Sequence, residues 1–157
     1  MTACGASSTT WRRRRRARCE LSLHTEGDLL GEWDQLRLEQ GVIHLVSNAL
    51  RFGFGRPIQL ELRRKGDEVW LDVRDHGPGI PPADLARIFR RFERTSSSLD
   101  AGGLGLGLYF IHEIATAHGG SITVESIPGD GACFRLRLPV RPPAAAPVRE
   151  TTTPKGD

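Results

Sequence analysis

Two pairs of alternating apolar and polar segments are each joined by a glycine-bearing turn and flanked by segments of helical spacing. This order restricts the fold more than any other feature. Ile58, Leu60 and Leu62 alternate with polar residues, as do Val69, Leu71 and Val73 beyond Lys65-Gly66-Asp67, which predicts a hairpin. Residues 122–126 and 133–138, joined by Pro128-Gly129-Asp130-Gly131, predict a second. Cys19, Leu21 and Leu23 alternate ahead of both, so a short half-buried strand is expected over 19–24. From 33 to 51 the apolar positions Leu36, Ile43, Val46 and Leu50 recur at helical spacing and are expected to face the core. Gly53, Gly55 and Pro57 should stop that helix. Pro82 and Asp84 open a short helix reaching Phe92, and a second long helix over 106–118 ends at Gly119-Gly120. Helices interleaved with antiparallel hairpins predict an α+β fold: a two-layer α/β sandwich whose mixed, mostly antiparallel sheet carries the helices on one face.

The 157 residues suffice for one such domain with irregular ends. The formal charge is +3, but six of the 22 basic residues lie within 12–18, and without them the rest of the chain stands at −3. Its basic character therefore belongs to an arm. We expect a disordered arginine-rich arm over 1–18, the folded domain over 19–140, and a Pro-, Ala- and Thr-rich disordered tail over 141–157. The arm reads as a solvated tail. Clustered arginines also suit phosphates, but a nucleic-acid partner is not expected.

Cys4, Cys19 and Cys133 are odd in number and show no Cys-x-x-Cys or Cys/His spacing, so neither a disulfide framework nor a zinc site is expected. No apolar run approaches the ~18 residues of a membrane span, and no apolar stretch follows Arg12 to Arg16 as a secretory signal would require. A cytoplasmic location is expected.

Three features carry chemistry. Asp75-His76-Gly77-Pro78-Gly79 sets a carboxylate at a strand end before two glycines that admit close approach of a ligand. The same residues also make a plain turn with a capping Asp. Gly102-Gly103-Leu104-Gly105-Leu106-Gly107-Leu108 runs into a helix, where free N–H groups and the helix dipole suit phosphate. It is neither a Rossmann fingerprint nor a P-loop, and as a bare glycine repeat it reads equally as a linker. His44, Asn48 and Arg51 share one stripe of the first long helix, with Phe52 beside them. A carboxamide oxygen suits Mg2+, an arginine suits phosphate and an aromatic ring suits a base, whereas a solvent-facing stripe with Phe52 in the core needs none of these.

In this order the three features resemble the ATP-binding domain of sensor histidine kinases, in the superfamily that includes gyrase, the large heat-shock chaperone and the mismatch-repair ATPases. Leu45-Val46-Ser47-Asn48-Ala49-Leu50-Arg51-Phe52 resembles the N box and Asp75 to Gly79 the first glycine box. Ile88-Phe89-Arg90-Arg91-Phe92-Glu93-Arg94 resembles the F box, and Gly103 to Leu108 the second glycine box. The likeness covers residues 19–140.

The resemblance implies the roles. Asn48 would hold Mg2+ and Arg51 would approach the phosphates of ATP. Asp75 would hold the adenine amino group in a pocket shaped by Gly77, Gly79 and Ile80, with Phe52 against the purine. Gly103, Leu104, Gly105, Leu106 and Gly107 would cradle the phosphates and hinge a lid over 93–103. Arg91 or Arg94 would assist at the γ-phosphate.

There are departures too. His44 stands where the family often has Asn or Glu, and Leu104 replaces a small hydroxyl residue. Gly41 interrupts the N-box helix at a cost of about 1 kcal/mol relative to Ala. None of His24, His44, His76, His112 and His118 lies in a phosphoacceptor context. The resemblance therefore implies a phosphoacceptor histidine domain in trans or upstream, a downstream response regulator, and no autophosphorylation by this segment alone. Two alternatives are an anti-sigma-factor type serine kinase and a non-catalytic nucleotide-responsive binding module.

Overall fold

The computed structural model describes residues 19–91 and 106–143. It contains β1 (Leu21–Glu26), α1 (Gln35–Phe52), β2 (Ile58–Lys65), β3 (Glu68–Arg74), α2 (Pro82–Leu85), α3 (Gly107–Ala117), β4 (Ser121–Ile127) and β5 (Gly131–Pro139). The strands form one sheet in the order β1-β2-β3-β5-β4. Only β1 and β2 run parallel, and both expected hairpins are present as β2–β3 and β4–β5. The helices pack on one apolar face, where Leu45, Ala49, Ile111 and Ala115 meet Leu60, Leu71, Val73, Phe134 and Leu136. The two-layer α+β arrangement therefore stands as expected.

Local chemistry explains the helix ends. The Asp34 side chain accepts from the Arg37 N–H at 3.1 Å and caps α1. Its far end stops where expected, at Phe52 with Gly53 as the C-cap, and the left-handed turn that follows falls on Phe54 as well as Gly55, with a φ of 50° at Phe54 that is unusual for a bulky residue. Helix α3 closes in a Schellman motif, in which Gly120 N–H donates to Ala115 and Gly119 N–H to Thr116. Gly119 takes φ +71°, which the motif requires. Helix α2 is a single turn that stops well before Phe92. Its Pro81-Pro82 entry presets the backbone, but no apolar period continues it.

The core face of α1 differs from the one expected. Leu36, Ile43 and Leu50 are 67%, 61% and 46% exposed, Val46 is half-buried, and the buried residues are Gly41, Leu45 and Ala49. The large apolar side chains at a spacing of seven, Leu36, Ile43 and Leu50, lie on a stripe that faces solvent. The core-facing one runs through Leu38, Gly41, Val42, Leu45, Val46 and Ala49, and α3 crosses it closely at Gly41, where Ile111 Cδ1 fills the place of a Cβ. The intrinsic cost of Gly41 is therefore offset by helix packing.

His118 joins the two long helices. Its Nδ1 donates to the Ile114 carbonyl at 2.7 Å, and its Nε2 accepts from the Asp34 N–H at 3.0 Å. The buried ring thus pins the start of α1 to the end of α3 as a single neutral tautomer.

Candidate nucleotide site

Asp75 follows the last residue of β3 and is 4% exposed. Its Oδ1 accepts from Gly77 N–H at 2.9 Å and from Ala132 N–H at 3.4 Å. Oδ2 makes no hydrogen bond with any described residue and keeps access to the surface. Burial raises the carboxyl above its ordinary range, while the Gly77 and Ala132 N–H groups and His76 pull it back only in part. A carboxylate with one oxygen fixed and the other without a partner can accept a further hydrogen bond.

Close contacts hold this loop in place. The Phe52 carbonyl occupies the space a Cβ on Gly77 would need, so the C-terminus of α1 lies directly against the loop. Gly79 takes φ +78° with its Cα against the Ile127 carbonyl. The next residue, Ile80, donates to Ser126 Oγ at 2.7 Å, and that hydroxyl donates to the Gly131 carbonyl at 3.0 Å. On the other side Arg56 donates to the His76 carbonyl at 2.7 Å, and His76 Nδ1 lies 2.8 Å from the Pro57 carbonyl. The glycines serve proximity here, since added side chains would collide with backbone.

His44, Asn48 and Phe52 fall on one line of α1 at steps of four. At one end of that line Phe52 abuts Gly77. At the other, His44 Nδ1 lies 3.3 Å from the Cβ position of Gly107, and the His44 ring stacks on Phe110 with centroids 6.1 Å apart. Half-buried Asn48 lies on α1 midway between His44 and Phe52. The N-terminus of α3 has no side-chain cap among the described residues, and free N–H groups there suit an anion. Arg51 is exposed on the last turn of α1 and pairs with no described carboxylate. Arg91 lies with its guanidinium 6.0 Å from the centroid of the Tyr109 ring, close to the first turn of α3.

A family model for the histidine kinase-, DNA gyrase B- and HSP90-like ATPases matches residues 33–142. The chain belongs to that family.

Other histidine kinase-like ATPases agree. The chain is 41% identical over 123 residues to the signal transduction histidine-protein kinase AfsQ2 of Streptomyces coelicolor, which spans 78% of this chain and 23% of that protein. It is 42% identical over 127 residues to the alginate biosynthesis sensor protein KinB of Pseudomonas aeruginosa, covering 80% and 21% respectively. Among solved structures, the mycobacterial sensor histidine kinase MprB superposes with a TM-score of 0.71 at 29% identity, covering 83% of this chain and 90% of that one. The chain spans less than a quarter of the length of these curated relatives. The fold is that of the ATP-binding catalytic domain of histidine kinases, and the relatives favour that reading over the two alternatives.

Among the residues expected from the sequence, the structure gathers Asp75, Gly77, Gly79, Ile80 and Phe52 at one end, and Leu106 and Gly107 with His44 at the other. Arg94, Gly103, Leu104 and Gly105 lie outside the described residues, as does most of the expected lid. Sequence reasoning missed Ser126 and Ala132, which brace the Asp75 loop from the β4–β5 hairpin. A hydroxyl on a strand gives no warning of such a role. The groove along Gly31, Trp33, Leu38 and Val42 holds none of the expected site residues.

Among the described residues no His/Cys/Asp/Glu group of three or more could hold a metal by itself, and no helix is long and apolar enough to cross a membrane. A lone carboxamide such as that of Asn48 fits Mg2+ shared with phosphates, which uses one or two protein oxygens and several waters.

Proposed function

We propose that this chain is the catalytic ATP-binding part of a two-component sensor histidine kinase. It transfers the γ-phosphoryl of MgATP to a histidine supplied by another domain or chain, and a response regulator acts downstream. The carrying observation is the buried Asp75 carboxylate, with Oδ1 held by Gly77 and Oδ2 open beside the end of α1. Oδ2 accepts from the adenine amino group, while Gly77, Gly79, Ile80 and Phe52 form the walls around the base. Asn48 offers its carboxamide oxygen to Mg2+, which neutralises phosphate charge when bound. Arg51, with Arg91 or Arg94, adds positive charge along the triphosphate. Gly103, Leu104, Gly105, Leu106 and Gly107 bring backbone N–H groups to it at the uncapped start of α3.

Phosphoryl transfer is mainly positioning and charge stabilisation, so these residues bind and orient while the nucleophile comes from outside. In this reading residues 19–140 are the catalytic body, 1–18 and 141–157 are tails, and the domain works in the cytoplasm. Calorimetric titration with a non-hydrolysable ATP analogue and Mg2+ tests the binding half. Incubation with labelled ATP and a phosphoacceptor hairpin from a related kinase tests the transfer half. Binding without transfer to any such hairpin would overturn the kinase assignment.

A further inference from the structure

The Asp75 loop is held at both of its ends by the β4–β5 hairpin. At its start Asp75 N–H donates to the Ala132 carbonyl at 2.9 Å, and Ala132 N–H returns a contact to Asp75 Oδ1 at 3.4 Å. In the middle Gly129 N–H donates to the Pro78 carbonyl at 2.7 Å. At its finish Ile80 N–H donates to Ser126 Oγ at 2.7 Å, and that hydroxyl donates to the Gly131 carbonyl at 3.0 Å. Among the described residues, Ser126 is the one hairpin side chain that bonds to this loop, the other hairpin partners being backbone groups. A change of sequence in the hairpin therefore reaches the loop most directly through Ser126.

The strand pattern sets this residue apart. Ile122, Val124 and Ser126 alternate onto one face of β4, where Ile122 and Val124 pack against the core. The third position carries a hydroxyl in place of a further apolar side chain. Its one proton is committed to Gly131, so its lone pairs are left to accept from the part-buried Ile80 N–H, which would otherwise lack a partner. The loop rests directly on this strand. A Cβ on Gly79 would lie 3.0 Å from Ser126 Oγ and 2.6 Å from the Ile127 carbonyl.

We propose that Ser126 is a positioning residue for base recognition. By holding Ile80 through its N–H, it sets how far the Ile80 wall stands from the Asp75 carboxylate, and so which base fits between them. This role presupposes the nucleotide reading of the site. Removal of the hydroxyl leaves Asp75 held by Gly77 and Ala132, so the carboxylate stays in place while the wall is released.

The test compares the full chain with Ser126→Ala and Ser126→Thr by calorimetric titration with non-hydrolysable ATP and GTP analogues and Mg2+. In Ser126→Ala the preference for the ATP analogue should narrow by about fivefold, the factor that one ordinary hydrogen bond is worth. Ser126→Thr keeps the acceptor and should return the preference toward that of the wild type. A hydroxyl with a purely structural role would lower thermal stability and weaken both analogues by one factor. An unchanged ratio in Ser126→Ala therefore overturns the proposal even where stability falls, as does a threonine variant with the alanine ratio. Should Ser126→Ala fail to fold, Ser126→Cys, with a weak acceptor of similar size, must narrow the ratio in the same direction, and an unchanged ratio there overturns the proposal equally. A wild-type chain that binds neither analogue overturns the nucleotide reading itself, and this role with it.

Discussion

The Phe52 carbonyl stands where a Cβ on Gly77 would have to be, so the end of α1 and the Asp75 loop touch backbone to backbone. Gly77→Ala forces one of them to move. Overpacking of this kind costs roughly 1–3 kcal/mol, and the displaced loop carries Asp75 with it. Thermal denaturation should show the loss, and calorimetry should show ATP-analogue affinity reduced at least about tenfold.

Asp75→Asn replaces an acceptor with a side chain that can turn an amide toward the adenine amino group. A site left with a mispaired polar group typically loses about 1–3 kcal/mol. Discrimination of ATP over GTP should therefore collapse in competition binding.

Burial raises the Asp75 carboxyl, so it takes up a proton at a higher pH than an ordinary carboxyl. Since the ionised form binds, wild-type affinity should fall as pH drops through this raised range, and the Asn variant should lack that limb. The linkage to stability has the opposite sign. A raised folded-state pKa means that ionised Asp75 disfavours the folded state, and the penalty is relieved as pH falls.

His118→Ala removes both hydrogen bonds that tie Asp34 to the last turn of α3. A loss of about 1–3 kcal/mol is expected from the unpaired partners, read by denaturant unfolding. Nucleotide affinity should change less than stability, because the ring lies at the end of α1 away from Asp75.

Gly41→Ala gains about 1 kcal/mol of helix propensity but drives a methyl into Ile111 Cδ1. The single variant should be destabilised. Ile111→Val deletes the clashing atom, so the double variant should recover stability beyond the sum of the two changes, with a coupling of at least about 0.5 kcal/mol.

The hairpins were legible in the sequence because Ile58 to Val73 and Ile122 to Leu138 state their alternation locally, and turn chemistry fixes their pairing. The face of α1 was not. Leu36, Ile43 and Leu50 repeat at seven as clearly as the true stripe of Leu38, Leu45 and Ala49 does, and Gly41, which admits α3, carries no apolar signal at all. In the site, Asp75 and Gly77 announced themselves through a strand end followed by glycines. Ser126 and Ala132 remained hidden because their contribution is a hydroxyl and an N–H placed by a distant hairpin. The lid-side residues Arg94, Gly103, Leu104 and Gly105 have a reading in the sequence and no counterpart among the described residues.

Ser126 accepts a hydrogen bond from the Ile80 N–H and donates one to the Gly131 carbonyl, bridging the Asp75 loop and the root of the last hairpin. Loop and hairpin therefore open as one cooperative unit, and their amide protons should exchange with solvent at a common rate. Anything that loosens the edge of the sheet should be felt at the Asp75 loop, and a nucleotide held there would in turn slow fraying at the far strand.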